Sequence, residues 1–252
     1  RAAELMDLFD YMRENALRQE APLAVRMRPQ SLEEIAGQAH ILGKDKLLYR
    51  AVKADAVGSM ILYGPPGCGK TTIAEVISRE TQSDFCRLNA TTAGKKEMEE
   101  VIQRAKENFG RGRRTTLFFD EIHRFHKGQQ DFLLPYVEDG TIALIGATTE
   151  NPFFEVNAAL LSRSRIFELK PLAAADIAAL LRRAMADKER GYGNWSAELT
   201  EEACAFLADA AAGDARTALN ALELGMKTTA PESDGCIRIT LSVAEDCIQK
   251  RV

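Results

Sequence analysis

Apolar residues recur in two rhythms along this chain, and the alternation between them predicts a mixed fold. From Leu5 to Arg18 the positions Leu5, Leu8, Phe9, Met12 and Ala16 keep helical spacing, which predicts a short amphipathic helix ended by Pro22. Ser31 followed by Glu34 has the form of a capping box and predicts a helical turn over Leu32–Ala36. Short apolar runs rich in β-formers then stand at Met60–Tyr63, Phe85–Asn89, Thr116–Phe119, Ile142–Ala147 and Ile166–Leu169, separated by stretches of helical composition. That alternation predicts an open α/β sheet. Thr116–Phe119 is apolar on both parities, as a central parallel strand covered by helices on both faces must be.

Beyond Pro171 no strong strand run remains. Ala173–Lys188, Thr200–Ala211 and Asp214–Thr228 are rich in Ala and Leu at helical spacing, interrupted by Gly191, Gly193 and Gly213, and Ser242–Arg251 has the pattern of one more helix. The expected organisation is an N-terminal extension over 1–21, an α/β domain over 22–171 and a small all-helical domain over 172–252. Arg1–Leu5 reads as upstream of a native start at Met6.

With 46% hydrophobic and 28% charged residues in 252, the chain can bury a core, and no run of eighteen apolar residues predicts a membrane span. No signal-peptide pattern is visible, so a cytoplasmic, nucleoid-associated protein is expected and no membrane partner. Cys68, Cys86, Cys204, Cys236 and Cys247 are scattered without CxxC spacing, which predicts reduced thiols rather than a disulfide framework or zinc site. The net charge of −4 excludes a uniformly basic nucleic-acid binder but leaves room for local strips. Arg111, Arg113 and Arg114 form one candidate and Lys95 and Lys96 another, against the plainer reading of solvated surface turns.

Gly64-Pro65-Pro66-Gly67-Cys68-Gly69-Lys70-Thr71 fits GxxxxGK[ST], directly after an apolar strand and before the helical run Thr72–Glu80. Glycines let backbone amides turn towards phosphates, Lys70 reaches the β- and γ-phosphates, and the Thr71 hydroxyl suits Mg²⁺. ATP and Mg²⁺ are therefore the expected cofactors. Leu117–Glu121 closes a second buried strand with adjacent carboxylates, Asp120 to attend the metal and Glu121 to activate the attacking water. His123 and His126 have metal-like spacing but no third ligand in reach, so packing or surface roles are expected. A polar residue after Ile142–Ala147 would lie between these two elements, and Thr149 is preferred over Asn151 for contacting the γ-phosphate or lytic water. Arg163, after the apolar helix end Leu160–Leu161, is the candidate arginine finger, because a fixed planar charge can reach a neighbouring subunit's phosphate. Arg216 opens the helix after Gly213 and Asp214, where the helix dipole does not favour it, which points to a phosphate-facing role.

Read together, these residues resemble AAA+ proteins of the clamp-loader clade, and more narrowly the replication-associated recombination protein A family, related to the Werner helicase-interacting protein. The resemblance spans Pro22 to Lys227. It rests on PLAVRMRP at Pro22–Pro29, GPPGCGKTT at Gly64–Thr72, DEIHRF at Asp120–Phe125, IGATTENPFFEVNAALLSR at Ile145–Arg163 and GDARTALNALE at Gly213–Glu223. It implies a P-loop AAA+ core with a helical lid, with Arg28, Pro29 and Ile35 near the adenine. It further implies Thr72 within the phosphate loop, Thr149 as sensor 1, Arg163 as finger and Arg216 as sensor 2. His126-Lys127-Gly128 departs from the Asn-Lys-Ser-like segment of the family. Family members carry a further C-terminal helical region that builds a homotetramer, which this chain, ending at Val252, is expected to lack.

The resemblance implies a DNA-dependent ATPase acting on single strands, duplex ends or forks, with single-strand-binding protein and replisome components as further partners. A clamp-loader subunit or a Holliday-junction-type motor would share these motifs. A protein unfoldase would carry an aromatic pore loop where Thr91–Lys96 is polar and basic, and a non-hydrolysing scaffold would not keep Glu121 and Arg163.

Overall fold

The computed structural model describes residues 21–89 and 93–248. The helix expected over Leu5–Arg18 and the Thr91–Thr92 part of the polar loop lie outside the described residues. The described residues divide into two compact units, one within Pro29–Pro171 and a second formed by residues 21–28 with residues 172–248.

The first unit is built on five parallel strands, β1 (Met60–Tyr63), β2 (Asp84–Asn89), β3 (Thr115–Asp120), β4 (Ala143–Thr148) and β5 (Arg165–Glu168), in the order β2-β3-β4-β1-β5. Each expected strand is present within a few residues of its predicted bounds. In β3 the five residues Thr115–Phe119 are all buried. Strand alternation sends Leu117 and Phe119 into a core with Cys86, Leu88, Met98 and Ile102, and Phe118 into another with Leu62, Ile73, Ile77 and Ile145. The first core is closed by the helix Lys95–Gly110 and the second by the helix Lys70–Glu80. Gly146 keeps β4 close to the first core, where a Cβ would meet Ile61 Cδ1 at 2.8 Å and Ile122 Cδ1 at 2.9 Å.

The expected cap at Ser31 takes a different form. Leu32–Glu34 is a 3-10 turn, Ser31 makes no side-chain cap bond, and the Glu34 carboxylate instead accepts from the Gln30 amide at 3.2 Å. Three residues are too few for an α-helical N3 amide to meet the Ser31 oxygen.

The second unit holds the helices Ala174–Ala186, Glu201–Ala210, Ala215–Thr228 and Leu241–Cys247. It is helical but not all-helical: β6 (Ala197–Leu199) and β7 (Ile237–Ile239) pair in parallel. Strands of three residues carry too little alternation to stand out in the sequence. Pro22–Arg28, expected with the α/β domain, groups with this unit. The buried Glu223 holds it there, accepting from the Leu23 amide at 3.1 Å.

Candidate functional site

All five strands run the same way, so β1, β3 and β4 deliver their following loops to one edge of the sheet, where open α/β folds bind ligands. After β1, Gly64 through Gly69 forms a tight loop into the helix Lys70–Glu80, with Gly67 at φ 76° and Gly69 at φ 100°. That backbone belongs to glycine and lets amides point inward at a helix N-terminus, an arrangement suited to anions. Gly64 is needed for a different reason: a Cβ there would lie 2.6 Å from the Leu169 carbonyl oxygen. Its amide donates to the Thr148 carbonyl at 3.1 Å, extending the β1–β4 ladder into the loop.

Lys70 Nζ donates to the carbonyls of Gly64 and Pro65, each at 2.7 Å, and lies 3.8 Å from Cys68 Sγ. The loop is thus organised around its own ammonium. Burial pushes the Cys68 thiol above its usual range, partly offset by the Lys70 charge. Pro65, Pro66 and Thr72 line the same turn and first helical residues.

At the end of β3, Asp120 is followed by Glu121 in the left-handed region at φ 54°, ψ 50°, and then by a 3-10 turn over Ile122–Arg124. Such a backbone is uncommon for a carboxylate-bearing residue and stores about 1–3 kcal/mol. It turns the chain sharply between the two acids. Glu121 Oε2 pairs with Arg124 Nε at 3.0 Å. Asp120 Oδ2 pairs with Arg87 Nη2 at 2.6 Å, a partner from β2 that motif reading did not include.

Strand β4 runs between β1 and β3, and its end therefore lies between the glycine loop and the acidic pair. Thr148 is buried, and its Oγ1 lies 3.0 Å from His123 Nδ1 and accepts the Glu150 amide at 3.0 Å. This engages the Thr148 hydroxyl and gives His123 a hydrogen-bonding partner at the end of β4. Asn151 Oδ1 caps the helix Pro152–Glu155, accepting from the Phe153 amide at 3.0 Å. Its acceptor is thereby committed to local structure, whereas Thr149 is half-buried between the two.

Thr71 and Asp120 offer hard oxygen donors of the kind Mg²⁺ takes, and no group of three or more His, Cys, Asp or Glu among the described residues could hold a metal by itself. That donor set fits Mg²⁺, which is held by one or two protein oxygens together with phosphates and water. Thr71 and Asp120 are the residues that would hold it.

Arg163 follows the helix Ala158–Ser162, with Nη2 2.5 Å from Glu138 Oε1 and Nη1 donating to the Ala159 carbonyl at 3.1 Å. Phe153 and Phe154, in the helix that precedes it, are 69% and 81% exposed. Pro29 and Ile35 lie in the sheet unit, Ile35 against the core containing Leu32 and Val52, while Arg28 and Arg216 lie in the helical unit. Arg216 opens the helix Ala215–Thr228, with Asp214 Oδ1 accepting its amide at 2.9 Å and 3.6 Å from its Nε. Lys95 and Lys96 are exposed and pair along their own helix with Glu99 and Glu100 at 3.7 and 3.8 Å, and Arg114 pairs with Asp55. Two residues outside every motif also support the site. The buried Gln38 donates to the Cys68 carbonyl at 3.3 Å, and His40 Nε2 meets the Glu168 carbonyl at 2.7 Å.

With this geometry, residues 60–172 match the model of the ATPase family associated with various cellular activities (AAA), and residues 193–252 match the AAA C-terminal domain. The chain belongs to the AAA family of ATPases. It is 55% identical over 203 residues to Replication-associated recombination protein A of Escherichia coli (strain K12), covering 81% of this chain and 45% of that protein. The protein of the same name from Bacillus subtilis (strain 168) is 49% identical over 230 residues, covering 91% of this chain and 54% of the relative. This chain thus spans about half the length of the curated relatives it matches. Among solved structures, the Thermotoga maritima RuvB Holliday junction branch migration motor matches with a TM-score of 0.67 at 24% identity, covering 88% of this chain and 72% of that one, a likeness of fold. No described helix is long and apolar enough to cross a membrane.

Proposed function

We propose that this AAA chain is the ATP-hydrolysing core of a DNA-dependent ATPase that acts at replication forks or DNA ends during recombination and repair. The observation that carries hydrolysis is the placement of the Lys70 loop and the Asp120–Glu121 pair on either side of β4 at one edge of the sheet. Lys70 and the loop amides bind the phosphates, and Thr71 and Asp120 hold Mg²⁺. Glu121 takes the proton from the attacking water, with Thr149 beside it. Arg163 serves a neighbouring subunit's phosphate, and Arg216 is the candidate for sensing the γ-phosphate. Arg28, Pro29 and Ile35 attend the adenine.

Support for DNA as the activating partner comes from the relatives named Replication-associated recombination protein A. Support for assembly comes from the exposed Phe153 and Phe154, which precede the helix that ends at Arg163, since exposed aromatic surface of this kind marks contact sites. Single-strand-binding protein and replisome components are further expected partners, in a cytoplasmic, nucleoid-associated setting.

The test compares ATPase rates of this chain and a full-length relative with no DNA, single strands, blunt duplex and forked duplex. Stimulation of the full-length relative by forked or ended DNA is expected. Equal rates under all four conditions would reject DNA dependence.

A further inference from the structure

Arg87 lies on β2, in register with Phe118 of β3, while Asn89 is in register with Asp120 two residues on. Register partners in a parallel pair project to the same face, so Arg87, Phe118 and Asp120 share one side of the sheet. Phe118 packs there with Ile73 and Ile77 of the helix Lys70–Glu80, so this is the side on which the phosphate loop's helix lies. The Arg87 guanidinium carbon stands 5.8 Å from the centroid of the Phe118 ring, and Nη2 reaches Asp120 Oδ2 at 2.6 Å. Side-chain exposures of 43% for Arg87 and 24% for Asp120 make this a partly desolvated pair resting on an aromatic floor.

The guanidinium is a planar, fixed positive charge. Asp120 is also the carboxylate that the chain offers to a divalent cation. A cation arriving there meets a carboxylate already neutralised and a fixed positive charge a few ångströms away. Stacking over Phe118 holds that charge in place more firmly than a solvated surface pair would.

We infer that Arg87 competes with the divalent cation for Asp120 and so sets the cation concentration that the nucleotide site requires. The inference rests on the reading of Asp120 as the metal-attending carboxylate of an ATP site. Arg87 is a positioning residue here, acting on the metal through Asp120.

The experiment measures Mn²⁺ binding to this chain by electron paramagnetic resonance, with a saturating non-hydrolysable ATP analogue whose binding alone is followed by calorimetry. Arg87→Gln removes the charge and should lower the half-saturating Mn²⁺ concentration about tenfold, while Arg87→Lys, which keeps it, should stay close to the parent. Arg87 is half-exposed on an edge strand, so these variants are expected to fold, and Arg87→Met, with a stem that still covers Phe118, is read in the same way as Arg87→Gln. Unchanged or weaker Mn²⁺ binding by the charge-free variants overturns the inference. Failure of the underlying reading looks different: Asp120→Asn would then leave Mn²⁺ binding intact, or Lys70→Ala would bind the analogue as the parent does.

Discussion

Gln38 brackets Lys170 from both sides: its Nε2 donates to the Lys170 carbonyl at 2.7 Å while its Oε1 accepts the Lys170 amide at 3.0 Å. With the further bond to the Cys68 carbonyl, one buried amide ties the glycine loop to the segment that follows β5. Gln38→Ala leaves three backbone groups short of a partner and should destabilise the sheet unit by about 2–3 kcal/mol. A thermal melt reads this directly, and a variant that melts with the parent would remove Gln38 from the account.

Gly64→Ala probes the other side of the same contact. A Cβ 2.6 Å from the Leu169 oxygen forces the loop and the end of β5 apart, at about 1–3 kcal/mol. Nucleotide affinity should fall with stability, since the Gly64 carbonyl is one of the two that hold Lys70. Chemical denaturation together with equilibrium binding of a fluorescent ATP analogue checks both effects.

Glu121→Gln should retain ATP binding while steady-state hydrolysis drops by about 10²–10⁴, because phosphate and metal contacts survive and the proton acceptor does not. Lys70→Ala should lose binding as well. Hydrolysis at the parental rate by Glu121→Gln would move the general base to another residue.

Arg163 should do nothing for its own subunit's nucleotide and contribute about 10³–10⁵ in rate to a neighbour's. Mixing Arg163→Ala with Lys70→Ala protein in a full-length relative should restore part of the activity, each supplying what the other lacks. Phe154→Ser should lower that recovery by weakening subunit contact. A flat baseline at every ratio, with mixed oligomers confirmed by sedimentation, would argue for a role within one subunit.

Thiol chemistry should divide the cysteines. Cys68, Cys86 and Cys204 are buried, whereas Cys236 and Cys247 are half-buried. Burial raises all three buried thiols above their ordinary range. Folded protein then holds those protons more tightly than unfolded protein does. Their contribution to stability is complete below the unfolded thiol value of about 8.5 and is lost as pH rises through the higher folded values. At pH 8 the native chain should show two reacting thiols by colorimetric titration, and denaturant should release the other three. Fast modification of Cys68 in the native protein would contradict its burial.

The strands and the glycine loop were legible in the sequence because each is carried by a contiguous pattern. Met60–Tyr63 needs only its own residues to read as a buried strand, and Gly64–Thr71 carries its spacing with it. Arg87 was not legible, since its meaning depends on the β2–β3 register that sets it two places before the partner of Asp120. Gln38 escaped for a similar reason: its bonds to Cys68 and Lys170 span 30 and 132 positions, and glutamine carries no turn or motif signal. The strands β6 and β7 are too short to show a period, and Pro22–Arg28 carries no sign of the bond from the Leu23 amide to Glu223, 200 positions away, that ties it to the helical unit. The basic pair Lys95–Lys96 showed in sequence only its positive charge; the helix adds Glu99 and Glu100 one turn further on.

Placing β4 between β1 and β3 also gives the cleft a gauge. Two strand spacings separate the backbone that feeds the glycine loop from the backbone that ends in Asp120, about 9.6 Å in all. That width belongs to hydrogen-bonded ladders on both sides of β4, from Met60 with Ile145 to Phe119 with Gly146. Substituting Thr149 or its neighbours can therefore refurnish the gap without resizing it. A ligand too broad for that span must distort three strands together.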